Sequence, residues 1–196
     1  MAFVHIKERN LDALLACMKK PEHQYARNEY GDTPLLFAAR CGYWDYVFTL
    51  LDCRQDIYAC NHERQNLLFF LFKDSIDFNH ARKIAGLFDR GTFTDRDGRS
   101  PVHYAAGQSV ADGTKKLLLA LTLCPGINAR DHAGMTPLDA ALRYGKYHQA
   151  RVLVELGADT SRYAKADLDE RLAGINLTGE ECALIEAFKR KGPAGK

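Results

Sequence analysis

The chain has 196 residues, of which 46% are hydrophobic and 27% are charged, a composition typical of globular rather than disordered or fibrous proteins. Its 27 lysines and arginines nearly balance its 25 aspartates and glutamates, whereas coating nucleic acid or an anionic membrane requires clustered positive charge. No apolar run approaches the roughly 20 residues that span a bilayer, and residues 1–8 do not resemble a secretory signal. We therefore expect neither a membrane protein nor a nucleic-acid-binding one.

The first predicted element is a helix within residues 3–18. Leu11, Leu14, Leu15 and Met18 recur at intervals of three or four residues, which is the spacing of one buried helical face. This segment therefore predicts amphipathic helical structure ahead of the rest of the chain.

From residue 28 onward the chain repeats itself. The equivalent residues Gly31, Arg64, Gly98 and Gly134 are separated by 33, 34 and 36 positions. Soon after them come TPLLFAA, SPVHYAA and TPLDAA in three copies, and NLLFFLF in the second copy. Fixed periods of this length indicate a solenoid of stacked units. We place these units at 28–60, 61–94, 95–130 and 131–163.

Each unit predicts a turn, a short helix and a longer helix. Thr or Ser before Pro starts a helix, because the hydroxyl accepts from free amides of the first turn and proline lacks only an amide that has no partner there. Gly42 and Gly145 follow the short helix and favour its end. The later segments 46–51 and 152–156 show the apolar spacing of a second helix.

Two further helices are predicted after the repeats. Residues 166–173 form a short one, and Thr178 with Glu181 makes a capping box that starts the next. Residues 192–196, rich in glycine, are expected to be a flexible tail. The apolar residues expected to form the buried face of the last helix are Ala183, Leu184, Ala187 and Phe188.

This pattern resembles that of ankyrin repeat proteins. The resemblance lies in the segments 31–35 and 134–138, in the alanine pair 38–39, and in Gly-Ala-Asp at 157–159. It implies an all-α ankyrin repeat solenoid, in which helix-turn-helix units are joined by β-hairpin-like turns. Residues 1–191 would then be one domain, because segments 1–27 and 164–191 would cap the four repeats.

The second unit departs from the ankyrin pattern. Arg64 replaces the glycine of the turn and Leu67 replaces the proline that opens the helix. Extra residues around 74–80 and 111–114 leave the register of the longer helices open in the second and third units.

The sequence holds no phosphate-binding glycine loop, no Gly-x-Ser-x-Gly and no His-Glu-x-x-His. Cys53, Cys60 and His62 fit no standard zinc spacing. His103 lies where we expect a structural hydrogen bond to the backbone of the next unit. We therefore expect no enzymatic activity, no metal and no cofactor.

The spacing and surroundings of the six cysteines indicate the cellular compartment of the protein. Cys17, Cys124 and Cys182 lie among apolar residues at helical spacing, so we expect buried thiols, whereas we expect solvent to reach Cys41, Cys53 and Cys60. Scattered cysteines without a Cys-x-x-Cys pair suit a reducing environment. We therefore expect a cytoplasmic protein.

The resemblance further implies a partner-binding face, formed by the turn tips and the first helices. Tyrosine and arginine on that face are the expected anchors, because they most often carry binding energy. The residues carried over to this face are Glu29, Tyr30, Asp32, Arg40, His62, Glu63, Arg64, Gln65, Arg96, Asp97, Arg99, Gln108, His132, Met135, Arg143 and Tyr144.

Two classes of function stay open. The first is a non-enzymatic protein-protein interaction module that acts as adaptor, regulator or inhibitor, including a bacterial effector that would work in the host cytosol. The second is a structural scaffolding subunit of a stable complex. In either class the partner is another protein, and we expect the free chain to be monomeric.

Overall fold

The computed structural model describes residues 1–73, 76–108 and 112–191, and throughout these ranges the regular elements are α-helices. The prediction of an all-α fold is therefore confirmed. The chain divides into two compact units, Met1–Ile76 and Asp77–Lys196, called here the N-terminal and C-terminal units. The tail expected at 192–196 lies outside the described residues.

The N-terminal unit contains the first six helices. They are α1 (Ala2–Lys7), α2 (Leu11–Met18), α3 (Pro21–Gln24), α4 (Pro34–Arg40), α5 (Trp44–Asp52) and α6 (Leu67–Lys73). Helix α4 packs against α1, α5 and α6, and its residues Leu35, Leu36, Ala38 and Ala39 are completely buried. The core of this unit is therefore built around the first short helix of the repeats.

The helical pattern predicted within 3–18 is present, and its apolar residues lie on α2. The segment is divided into α1 and α2, because Arg9 adopts a left-handed conformation with φ of 55°. The Asn10 side chain then caps α2 by accepting a hydrogen bond from the Ala13 amide at 3.0 Å. Leu15, expected to be buried, is exposed.

The C-terminal unit contains the remaining helices. They are α7 (Phe78–Ala85), α8 (Pro101–Gly107), α9 (Gly113–Leu123), α10 (Pro137–Arg143), α11 (Tyr147–Glu155), α12 (Lys165–Leu172) and α13 (Gly179–Lys191). The two short helices α8 and α10 pack side by side, with α9 and α11 behind them. The longer helices of the second and third repeats, at 61–94 and 95–130, are thus α7 and α9. These assignments give the register of the longer helices that the sequence left open.

Helix starts and ends follow the sequence closely. The Thr33 hydroxyl accepts from the Leu36 amide at 3.3 Å, and the Thr136 hydroxyl accepts from the Asp139 amide at 3.2 Å. Gly42 and Gly145 take positive φ values of 72° and 66° just after α4 and α10. These short helices therefore begin and end where the residues predict.

The last helix begins as predicted but buries a different face. Thr178 and Glu181 form the expected capping box, with the Thr178 amide 2.9 Å from Glu181 Oε2 and the Glu181 amide 3.2 Å from Thr178 Oγ1. Ile185 is buried and Ala183 is exposed, so the prediction for Ala183 is wrong. The face is rotated because Glu181 points inward, where it meets Thr114 and His148.

Candidate functional site

Each predicted turn is closed by one polar side chain. Asn28, Asn61, Asp95 and Asp131 start the four turns, and in each the Oδ1 atom accepts from the amides two and four residues later, at 2.8–3.0 Å. The amide of the same residue donates to the carbonyl four positions on, at 2.9–3.1 Å. Each turn is therefore a closed loop, stabilised from inside, that presents the intervening side chains outward.

Neighbouring turns within a unit are joined by backbone hydrogen bonds. The His62 amide donates to the Tyr30 carbonyl at 3.0 Å in the N-terminal unit, and the His132 amide donates to the Asp97 carbonyl at 2.8 Å in the C-terminal unit. Gly31 permits the first contact, because a Cβ atom on it would lie 2.4 Å from the His62 ring and 2.8 Å from the His62 amide nitrogen. The tips are thus held at fixed spacing.

Asp32 lies beneath the surface of the N-terminal unit. Its carboxylate accepts from Arg40 Nε at 2.6 Å and Nη2 at 2.9 Å, and from Asn61 Nδ2 at 3.1 Å. Burial acts to raise the pKa of Asp32, but the hydrogen bonds from Arg40 and Asn61 outweigh it, so this pKa lies below its ordinary value. Asp32 is completely buried and therefore orients Arg40 rather than facing a partner.

Arg40 and Tyr30 are brought together above this carboxylate. The Arg40 guanidinium lies 5.4 Å from the Tyr30 ring centroid and 5.4 Å from that of Phe70, within the range of a cation–π contact. Tyr30 is 55% exposed. Gln65, like Asp32, is buried, whereas the other predicted residues of these turns, Glu29, His62, Glu63 and Arg64, are exposed.

In the C-terminal unit the predicted residues surround a groove. Arg99, Gln108, Met135 and Tyr144 line a cavity of about 260 Å³ between α8, α10 and their turns. The Tyr144 ring packs over Gly107, where a Cβ atom would lie 3.2 Å from the ring, yet Tyr144 remains 54% exposed. The structure thus brings together four residues that the sequence placed on one face.

His103 forms part of the floor of this groove. Its Nε2 atom is 3.0 Å from the Met135 carbonyl, which only accepts, and its Nδ1 atom accepts from the Ser100 amide at 3.1 Å. Both ring nitrogens are therefore satisfied by the neutral imidazole. Burial, partly offset by the Met135 carbonyl, lowers the pKa of His103. The predicted structural hydrogen bond across repeats is confirmed.

Charged side chains form the rim of the groove. Arg99 Nε lies 3.5 Å from Asp131 Oδ2, and its Nη1 lies 3.4 Å from Asp97 Oδ2. Arg143 Nη1 lies 3.2 Å from the sulfur of Met135. The predicted residues at the tips of the same unit, Arg96, Asp97 and His132, are all exposed.

Some residues of this site were missed by sequence reasoning. The Tyr104 hydroxyl donates to Asp95 Oδ2 at 2.6 Å, and Tyr104 lines the groove with Asp131. The sequence did contain a signal for Asp131. The equivalent residues Asn28, Asn61, Asp95 and Asp131 recur with the same 33-, 34- and 36-residue spacing as Gly31, Arg64, Gly98 and Gly134. An Asn or Asp three residues before a glycine is itself typical of a side-chain-stabilised turn.

Within the ranges 1–73, 76–108 and 112–191, no three histidine, cysteine, aspartate or glutamate side chains are grouped so that they could hold a metal ion. In the same ranges, no helix has the length and apolar character needed to cross a membrane.

Comparison with known proteins agrees with this architecture. The family model for ankyrin repeats in three copies matches residues 57–164, and the model for a single ankyrin repeat matches residues 30–62. Since the first match covers more than half of the chain, the protein belongs to the ankyrin repeat family. The resemblance and the solenoid fold class expected from the sequence are both confirmed.

One relative carries a functional description. The 26S proteasome non-ATPase regulatory subunit 10 of Dictyostelium discoideum is 35% identical over 65 residues. The match covers 33% of this chain and 27% of that protein, so the chain corresponds to only a minor part of this relative.

Proposed function

We propose that the chain is a non-enzymatic protein-binding module that contacts a partner through its turn tips and first helices, as an adaptor, regulator or inhibitor. Membership in the ankyrin family supports this proposal, because ankyrin repeats generally mediate protein-protein interaction. The observation that carries it is the groove of the C-terminal unit, where Arg99, Gln108, Met135 and Tyr144 converge.

The groove has the size of a side-chain site. At about 260 Å³ it is smaller than the roughly 300–1,000 Å³ of pockets that enclose drug-sized molecules. One or two side chains of a partner protein would fill it.

The anchors are positioned before any partner arrives. Tyr144 rests on Gly107, and Tyr30 rests on Arg40, which Asp32 holds with two hydrogen bonds. Tyrosine and arginine dominate the binding energy of many interfaces. Because these side chains are already fixed, less conformational entropy is lost when they bind.

Site-specific photo-crosslinking tests the proposal. A benzophenone amino acid replaces Tyr144 in one variant and Tyr147 in the other, and both are expressed in the source cells. Both tyrosines are exposed in the same unit, but Tyr147 belongs to the longer helix α11. We expect a discrete protein adduct from position 144 and none from position 147.

Two outcomes would contradict the proposal. Equal adducts at both positions would mean that the contact does not depend on the first-helix face. No adduct at either position, nor at Tyr30 compared with the exposed Tyr58, would argue against protein binding by these surfaces.

A permanent scaffolding subunit is the second candidate. The relative from Dictyostelium is described as a regulatory subunit of the 26S proteasome, which favours a role within a large assembly. Size-exclusion chromatography of a native extract separates the two candidates. An obligate subunit elutes only with its complex, whereas a reversible binder also elutes as the free chain.

The proposal places the protein in the cytoplasm, including the host cytosol if the chain is a translocated bacterial effector. All six cysteines are free thiols, as is typical of a reducing compartment. Fractionation of cells that express the chain with a small tag tests this localisation.

A further inference from the structure

We propose that the groove of the C-terminal unit binds an acidic segment of the partner, in which one bulky apolar residue is flanked by aspartate or glutamate. This inference rests on the proposed protein-binding function and adds the chemistry of the partner. It follows from which charges around the groove are already neutralised and which are not.

Three aspartates near the groove are occupied by internal contacts. Asp131 is nearly buried and accepts the amides of Ala133 and Met135. Asp139 accepts from the Thr136 amide at 2.8 Å and from Arg162 at 2.7 Å. The third, Asp97, lies 3.4 Å from Arg99.

Two arginines carry exposed positive charge near the groove, one just before the fourth turn and one at the end of α10, and the charge of Arg130 is shared in part with Asp159. Arg130 donates to the Gly134 carbonyl at 3.2 Å, and Arg143 contacts the Met135 sulfur at 3.2 Å. Both acceptors are neutral, and among the described residues neither arginine forms an ion pair. Arg143 contacts Met135, which lines the groove, and Arg130 contacts the adjacent Gly134. A carboxylate beside Met135 would form charge-assisted hydrogen bonds with these guanidinium groups.

The apolar part of the groove lies against this positive edge. Met135, Ala140 and the Tyr144 ring form its walls, and Arg143 touches the same Met135 that lines it. A partner side chain seated between Met135 and Tyr144 would therefore place its neighbouring residues beside Arg143 and Arg130. Carboxylates at those neighbouring positions match the exposed charge.

Selection from a random peptide library displayed on phage tests the inference. The purified chain and the double variant R130E/R143E are screened in parallel, after circular dichroism has confirmed that both fold. We expect the unaltered chain to enrich peptides with a large apolar residue next to aspartate or glutamate. The double variant should instead enrich lysine or arginine at those positions.

Binding of one enriched peptide, labelled with fluorescein, gives the quantitative test. R130E/R143E should weaken its affinity by about tenfold or more, and exchanging its acidic residues for lysine should restore binding to that variant. The matched control K165E/R190E makes the same change of net charge on the exposed surfaces of α12 and α13, and it should bind the original peptide normally. Y144A should also bind weakly, because it removes one wall.

The outcomes separate this inference from the proposed function. Enrichment of basic or uncharged peptides, or acidic peptides that bind R130E/R143E equally well, would overturn the inference and leave protein binding standing. Enrichment of no sequence would count against protein binding itself, and the inference would fall with it. A single-stranded oligonucleotide that binds the groove more tightly than the selected peptide would also overturn it.

Discussion

Arg64 is the residue at which the repeat departs furthest from its own pattern. It takes a φ of 59°, and the equivalent Gly31, Gly98 and Gly134 take 74°, 77° and 73°. A side chain in this left-handed region costs about 1–2 kcal/mol. The turn still forms, because the Arg64 amide donates to the Asn61 carbonyl at 3.0 Å. The second repeat therefore keeps the turn but carries backbone strain.

Replacing Arg64 with glycine should raise the free energy of unfolding by about 0.5–1 kcal/mol. The free energy gained by removing the backbone strain exceeds the free energy lost because glycine gives the unfolded chain more conformational entropy. Urea unfolding measures the change, and Arg64→Ala is the control, since it removes the same side chain and keeps the strain. Equal stabilisation by both substitutions would contradict this explanation.

Gly31 and Gly42 form a second matched pair, in the same unit. Their φ values of 74° and 72° are nearly equal, so alanine should be strained to a similar degree at both. Only at Gly31 would the new Cβ atom also collide with the His62 backbone, whereas nothing lies within 4 Å of Gly42. Gly31→Ala should therefore destabilise the protein by about 1 kcal/mol more than Gly42→Ala in urea unfolding. Equal losses would mean that the two turns can separate freely.

At the scale of helices, Glu181 holds α13 to the C-terminal unit. Its Oε1 atom accepts from the Thr114 hydroxyl at 2.6 Å and lies 2.7 Å from His148 Nε2. Partial burial acts to raise the pKa of Glu181, but hydrogen bonds from Thr114, Thr178 and His148 outweigh it and bring it from 4.5 to about 2. The ionised carboxylate therefore stabilises the packed helix.

Glu181→Gln should lower the free energy of unfolding by about 1–2 kcal/mol at neutral pH, because charge-assisted hydrogen bonds are lost. The folded-state pKa lies below the unfolded one, so this contribution is complete above pH 4.5 and disappears as the pH falls to about 2. Unfolding curves of both proteins should accordingly converge in acid. Glu186→Gln is the control, since Glu186 is exposed and pairs with Lys189 on the same helix. A difference that persists near pH 2 would refute the linkage.

The helix starts could be predicted from sequence, but the faces of the terminal helices could not. Thr33 and Thr136 cap with their own side chains, so local residues determine where α4 and α10 begin. The inward face of α13 instead depends on Thr114, which is 67 positions away from Glu181. Apolar spacing alone cannot reveal a polar anchor of that kind.

At the scale of the whole chain, the six thiols should differ in reactivity. Cys41, Cys60 and Cys182 are exposed, whereas Cys17 and Cys124 are buried. The prediction that Cys182 is buried is wrong, because α13 turns the adjacent Glu181 inward. Burial also raises the pKa of Cys124 to about 12.

Thiol titration of the folded protein should therefore detect Cys41, Cys60 and Cys182 first, with the half-buried Cys53 slower. Cys17 and Cys124 should react only after unfolding. Mass spectrometry of the labelled peptides identifies each site. Rapid labelling of Cys124 in the folded protein would contradict its position in the core.

The sequence predicted which residues share the face of the candidate site, but it did not predict which of them are buried. The repeat register placed Arg99, Gln108, Met135 and Tyr144 on one face, and the structure brings them around one groove. The repeat register did not reveal that Asp32 and Gln65 lie buried beneath the tips. The Asn61 amide group donates hydrogen bonds to the side chains of both residues, so these polar groups have a partner where they are buried.

The backbone bonds between neighbouring turns have a consequence for how such a surface can change. The hydrogen bonds from His62 to Tyr30 and from His132 to Asp97 use only main-chain atoms, so they do not depend on which side chains occupy the tips. Substitutions at exposed positions such as Glu29, Glu63 and Arg96 can therefore change the chemistry of the tips while the spacing of the tips is preserved. Evolution, or a laboratory library randomised at those positions, can therefore vary this surface without rebuilding the scaffold.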